Sequence, residues 1–276
     1  MTRLKTLAAA ISAICLVGVA TPSLALPTLV FKDGASTFSV DPFNGFDWQS
    51  NATAIVSAPV FDGVTPITTS FLASAEAIKL TGGTNASLAG LGTAYEFTVK
   101  ATITEVATCL SFTGPVCDTA KFFAVGGTYD IYYDQVANSN IVTGTGFVDG
   151  TKVLSGTISA GVTGTFTLLN ATSGAGNFSF NGAVTSTETD TTKDAYFAPA
   201  LASSNATSTL QIGRAVTSWT PPTGWADGTG FGPNALVFQA DANQTFVARV
   251  PEPGSLALVG LSLAALGFAR RRSAAK

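Results

Sequence analysis

Apolar side chains recur at every second position through the middle of the chain. Tyr95, Phe97, Val99, Ala101 and Ile103 alternate with Glu96, Thr98, Lys100, Thr102 and Thr104. The same period places Tyr129, Ile131 and Tyr133 against Asp130, Tyr132 and Asp134. It places Val162, Gly164, Phe166 and Leu168 against Thr163, Thr165 and Thr167, and Phe178, Phe180, Gly182 and Val184 against Ser179, Asn181 and Ala183. Alternation of this kind marks strands with one buried and one wet face, the habit of antiparallel sheets. Threonine on the wet face favours strand without adding charge. Gly82-Gly83, Gly126-Gly127, Asp149-Gly150 and Gly174-Ala175-Gly176 punctuate the runs as turns. These signals predict an all-β body over residues 26–250, an antiparallel β-sandwich or jelly-roll-like domain. One stretch, Thr68 to Leu80 with Phe71, Ala75 and Ile78, carries helical spacing. The threonine-rich run Thr185 to Asp194 reads as a loop, and the 60 residues after it show few strand signals. Trp219 to Gly232 reads as loop.

The two ends differ from this body. Arg3 and Lys5, an apolar run from Leu7 to Ala20, and Ser23-Leu24-Ala25 form the three parts of a secretory signal peptide, residues 1–25, with a signal helix and cleavage between Ala25 and Leu26. At the other end, residues 251–276 begin with Pro251-Glu252-Pro253-Gly254. An apolar stretch from Ser255 to Ala269 follows, and Arg270, Arg271 and Arg272 close it. The stretch is short against the roughly 20 residues of a usual membrane helix. Flanking arginines that snorkel make up such a deficit at modest cost. This reads as a single membrane helix with the arginines as a cytoplasmic stop.

Charge sharpens the division. The 276-residue chain has 14 basic and 17 acidic residues, a net −3. Six of the basic residues lie in the two terminal segments, which hold one acidic residue, Glu252. The body therefore keeps eight basic and sixteen acidic residues, a charge of −8. A body of that sign speaks against nucleic acid as a partner. Charged residues make up 11% of the chain, against about a quarter in ordinary soluble domains. There is no histidine, which removes Ser-His-Asp and Cys-His catalytic sets and imidazole-ligated zinc.

Candidate chemistry is sparse. After loss of Cys15 with the signal peptide, Cys109 and Cys117 remain, an even pair in an oxidising compartment, which reads as a disulfide. A reactive or metal-binding thiol is the competing reading, poorly supported without histidine. Asp130 and Asp134 fall on one strand face about 13 Å apart, too far for a retaining glycosidase pair. Asp33, Asp41 and Asp47 near the N-terminus, and Asp149 and Asp241 in turns, could ligate structural calcium through loop oxygens, but none has EF-hand or repeat-in-toxin spacing, and solvated turn aspartates are the favoured reading. Lys152 and Ser155 lack the Ser-x-x-Lys order of a dyad, and no Gly-x-Ser-x-Gly elbow occurs. No cofactor and no catalytic residue is expected. Trp48, Trp219, Trp225 and Tyr132, in or near loops or on wet faces, are the candidates for stacking on a sugar ring or forming an interface, although core filling or loop packing is the favoured reading of each.

Pro251-Glu252-Pro253, a short apolar helix and Arg270-Arg271-Arg272, in that order, resemble the PEP-CTERM sorting signal of Gram-negative bacteria. The resemblance implies export, temporary anchoring in the inner membrane and processing by an exosortase, with loss of the arginine tail. A second resemblance lies in the body. Phe122-Phe123, the run Tyr129 to Asp134, Gly144 to Thr151 and Phe238 to Phe246, with Phe46-Asp47-Trp48 in the first half, are similar to the flocculation-associated PEP-CTERM proteins of floc-forming bacteria. That family implies a non-catalytic surface or matrix protein holding cells together with exopolysaccharide. It brings no catalytic residues. A soluble carbohydrate-binding module is the alternative, and an extracellular hydrolase a weaker one.

Overall fold

A computed structural model describes residues 26–34, 36–170, 173–187, 196–212, 219–222, 224–225 and 234–248, within a compact unit spanning Leu26–Arg249. The signal peptide with Ala25, the Pro251-Glu252-Pro253 motif, the apolar tail and Arg270, Arg271 and Arg272 lie outside the described residues, as does most of the Thr185–Asp194 run. Among the described residues no helix is long and apolar enough to cross a membrane.

The antiparallel all-β body expected from the alternation is what the structure shows. Twelve strands form it: β1 (Thr28–Asp33), β2 (Ser36–Val40), β3 (Phe43–Val56), β4 (Ile67–Leu80), β5 (Glu96–Thr113), β6 (Val116–Asp134), β7 (Thr151–Ile158), β8 (Thr163–Asn170), β9 (Ser173–Thr187), β10 (Phe197–Ala198), β11 (Leu201–Ile212) and β12 (Leu236–Ala248). β3, β4, β5 and β6 pair in chain order. β7 and β8 share the next position, β7 pairing with residues 127–133 of β6 and β8 with residues 119–123. β9 pairs with both and with β11. β11 then pairs with β12 and β12 with β3. The layers thus join by hydrogen bonds at both edges, and strand follows strand as a meander. A ring of this size leaves no free sheet edge, and its interior holds side chains or one small ligand.

One end of the ring is closed by a small sheet, β10-β1-β2. Its Phe31 ring centres 5.1–5.3 Å from those of Phe38, Tyr95, Phe97 and Tyr133. Phe43 lies 5.4 Å from both Phe46 and Phe197. Edge-on and tilted pairs at such distances add to the burial of the rings themselves. Tyr133 Oη donates to the Lys32 carbonyl, tying β1 to β6.

Three expectations change. The Thr68–Leu80 segment is β4, not helix. Its run of β-branched residues, Ile67, Thr68 and Thr69, pairs with β3 and β5 on either side, and tertiary pairing overrides a weak helical period. The region after residue 195 contains β10, β11 and β12, of which β11 and β12 are long ring strands. Between Leu201, Phe238 and Phe246, their inward residues Ser204, Ala206, Ser208, Ala240, Ala242 and Gln244 are small or polar and gave little apolar signal. Finally, the expected wet face of β5 is only partly wet. Glu96 and Thr98 are each 2% exposed, because a loop lies over them.

Candidate functional site

That loop, residues 135–149, is held by the polar side chains it covers. Glu96 Oε1 accepts hydrogen bonds from the backbone N–H groups of Asn138 (2.9 Å) and Ser139 (2.8 Å), and Ser139 Oγ donates to Glu96 Oε2. Thr98 Oγ1 donates to the Phe147 carbonyl at 2.8 Å, and Ser74 and Ser139 hydroxyls meet at 2.6 Å. A second apolar cluster forms beneath, from Ile55, Leu72, Phe147 and Trp225. Trp225 Nε1 donates to the Ile141 carbonyl at 3.1 Å. Gly144, at φ +67°, lies against the indole; a Cβ there would stand 2.6 Å from the ring. Only glycine combines that backbone conformation with that approach.

On the opposite face of the ring the described rows of outward residues are exposed. On β8, β9, β11 and β12 the outward residues fall into register. Thr165, Asn177, Thr209 and Asp241 form one row across the strands. Ser179, Thr207 and Asn243 form the next, and Asn181, Asn205 and Thr245 a third. All ten are exposed. Nine are uncharged amides or hydroxyls, and the one charged member, Asp241, sits at the margin near the Asp47–Lys79 ion pair (2.7 Å). Such a grid offers donors and acceptors at the sheet's regular spacing, about 4.8 Å between strands.

Between the two faces lies a cavity of about 80 Å³ inside the ring. Trp48, Phe71, Phe122, Phe178, Phe180 and Phe238 bring aromatic rings to it. Ser208 and Gln244 are among its polar lining residues, beside two ionisable groups. Glu105 is 2% exposed and accepts from Thr69 Oγ1 at 3.2 Å. Burial pushes its carboxyl up to about 7. Tyr129 Oη and Ser204 Oγ meet at 2.7 Å across the wall, and burial pushes the phenol up to about 12. A second, polar cleft of about 320 Å³ lies at the capped end, lined by Lys32, Tyr133, Asp134, Asp149 and Tyr196 among others.

The residues singled out in the sequence scatter over this frame. Cys109 and Cys117 are joined, with Cα atoms 5.8 Å apart, and staple the tip of the β5–β6 hairpin. Two of the three tryptophans are buried, as the packing reading of them has it. Trp48 is 2% exposed and stacks on Phe46 inside the ring at 5.0 Å. Trp225 is 7% exposed beneath its loop. Both indoles are spent on packing. Trp219 is half-buried, and its Nε1 donates to Thr53 Oγ1 at 3.0 Å. Tyr132 is half-buried on the outer side of β6. Lys152 and Ser155 both turn to Asp130, at 3.8 and 2.5 Å. Asp134 Oδ1 accepts from the Val136 N–H, and Asp149 Oδ2 from Asn138 Nδ2. Among the described residues no three of the His, Cys, Asp and Glu side chains gather into a group able to hold a metal ion. Asp41 and Asp241 are exposed, and the Asp33 side chain lies outside the described residues. Glu105 escaped the sequence reading. Its one signal was a carboxylate on the inward parity of β5, in line with Phe97, Val99, Ala101 and Ile103.

Comparison with known proteins adds one decisive finding. Residues 249–273 match the PEP-CTERM protein-sorting motif. The chain carries an exosortase sorting signal. A precursor with this signal is exported, held at the membrane and sorted to the cell surface, and exosortase is its processing partner. The PEP-CTERM match covers the tail alone and says nothing of the β-ring. No curated protein and no solved structure matches the chain.

Proposed function

We propose that the exported β-ring is a non-catalytic surface or matrix protein of a Gram-negative bacterium that promotes floc or biofilm cohesion by contacting exopolysaccharide. The PEP-CTERM motif at residues 249–273 carries this reading, because it delivers the body to the place where such a polymer lies. The resemblance of Tyr129 to Asp134 and of Phe238 to Phe246 to flocculation-associated proteins supports it. So does the surface. The β8-β9-β11-β12 face presents nine neutral hydrogen-bonding side chains in register, with no basic residue among them. Sugar hydroxyls bond to amides and hydroxyls at a low desolvation cost compared with charges. A flat neutral array suits a long polymer better than a single closed pocket.

Deleting the gene should leave exopolysaccharide secreted but cells dispersed. Wild-type protein should restore flocs, and the face variant Asn181→Glu/Thr207→Glu should not. Unchanged flocculation in the deletion strain would sink the proposal. The alternative, a carbohydrate-binding module acting through aromatic stacking, now rests on Trp219 and Tyr132, since the other indoles are buried.

A further inference from the structure

We propose that the interior of the ring is a binding site for a small single-ring phenol, held by the aromatic wall and by a hydrogen bond to Glu105. This site borders the polar outer face, with Asn181 belonging to both, and its occupant is independent of exopolysaccharide. Three observations point to it. The first is the wall. Trp48, Phe71, Phe122, Phe178, Phe180 and Phe238 surround the space, which suits a flat ring better than a flexible chain.

The second is Glu105. A carboxyl buried to 2% exposure normally has several partners, and Thr69 supplies one long bond of 3.2 Å. The residues flanking it across the sheet are Ile67 on β4 and Ala124 on β6, which offer no side-chain donor. Tyr129, the other ionisable group on the wall, is engaged with Ser204. At pH 8, above its value of about 7, the carboxylate is ionised and only accepts hydrogen bonds, so the missing partner there is a donor. A phenol hydroxyl provides one without adding a buried charge. Aromatic hydrocarbons lack that donor, and ketones and quinones offer acceptors alone.

The third is access. Phe71, Phe180, Ala206 and Leu210 line the space and are only half-buried, so it reaches solvent. The enclosed volume, about 80 Å³, is below the roughly 150 Å³ at which a sealed apolar cavity takes up benzene. An occupant therefore extends into that opening, hydroxyl inward.

The test is titration of the protein, purified as the cells export it, with 4-methylphenol and with toluene at pH 8. Tryptophan fluorescence reports occupancy, because Trp48 lines the cavity. 4-Methylphenol should bind at least roughly tenfold more tightly than toluene, the value of one hydrogen bond to a charged acceptor. Glu105→Leu should erase that preference while leaving toluene binding in place. Ala206→Phe, which places a ring in the opening, should weaken both ligands, and Ser208→Leu serves the same purpose should that variant fail to fold. Near-UV circular dichroism checks each fold. Absence of binding by the wild-type protein would overturn the proposal. So would equal affinity for both ligands, or a preference that survives Glu105→Leu.

Discussion

The two broad faces of the ring use the same strand chemistry for opposite ends. On β4 and β5, outward polar residues such as Ser74, Glu96 and Thr98 are covered and bonded to a loop. On β9, β11 and β12, outward Asn, Ser and Thr are left open to solvent. An outward polar side chain is thus no guide to exposure. What separates the faces is where the described connections run. β5 and β6 meet at a tight hairpin, but β6 and β7 are joined by a segment long enough to fold back over β5 and to meet Trp225. Over β8, β9, β11 and β12 no described segment lies in this way, and the outward side chains of their three rows are exposed. The covered face contributes stability, and the bare face is available for contact.

The sharpest way to break this contrast is Trp225→Ala. It empties the cluster with Ile55, Leu72 and Phe147 and should cost about 3 kcal/mol or more in urea unfolding. A change under 0.5 kcal/mol would mean that the cover contributes nothing.

Glu105 offers a test of the space between the faces. Its folded value, about 7, lies above the ordinary 4.5. The folded protein therefore holds this proton over a range where the unfolded chain releases it. The associated stability is complete below about 4.5 and is lost as pH rises to 7, by up to roughly 3 kcal/mol. In Glu105→Gln the stability difference between pH 4.5 and pH 8 should shrink by that amount. An unchanged pH dependence would contradict a desolvated carboxyl.

Glu96→Ala comes next, with an expected cost of about 2 kcal/mol. It leaves the Asn138 and Ser139 N–H groups beneath the loop without their acceptor. Amide exchange across residues 135–149 should accelerate while that of β11 and β12 does not. Replacing Cys109 and Cys117 together by serine should cost about 2–3 kcal/mol, the entropy released from a short closed loop. The smallest effect belongs to the bare face. Asn205→Ala or Thr207→Ala should stay within about 0.5 kcal/mol of wild type.

Much of the fold was legible where large apolar residues kept the period of two. Phe97, Val99 and Ile131 point inward as their parity demands. β11 was illegible because its inward positions are Ser204, Ala206 and Ser208, small residues that fit beside the rings of Phe178 and Phe180 on the neighbouring strand. β4 was misread because it is buried on both faces: Ser70, Leu72 and Ser74 lie under cover while Thr69 and Ala73 face the interior. That erases alternation and leaves a helical period by accident. The disulfide was legible from cysteine count and compartment. The candidate surfaces were not. For the tryptophans the sequence left contact and packing both open, and the loop over Trp225 decides for packing there. The bare grid is visible only once strand register aligns Asn181, Asn205 and Thr245, residues far apart in the chain.

The central claim is that the exported ring meets exopolysaccharide through its uncovered polar face. Affinity electrophoresis through gels containing the purified polymer tests it most directly. Wild-type protein and Trp219→Ala should be retarded alike, and Asn181→Glu/Thr207→Glu should run freely with an unchanged melting temperature. Retardation that survives the face substitutions, or that disappears with Trp219, would contradict the account.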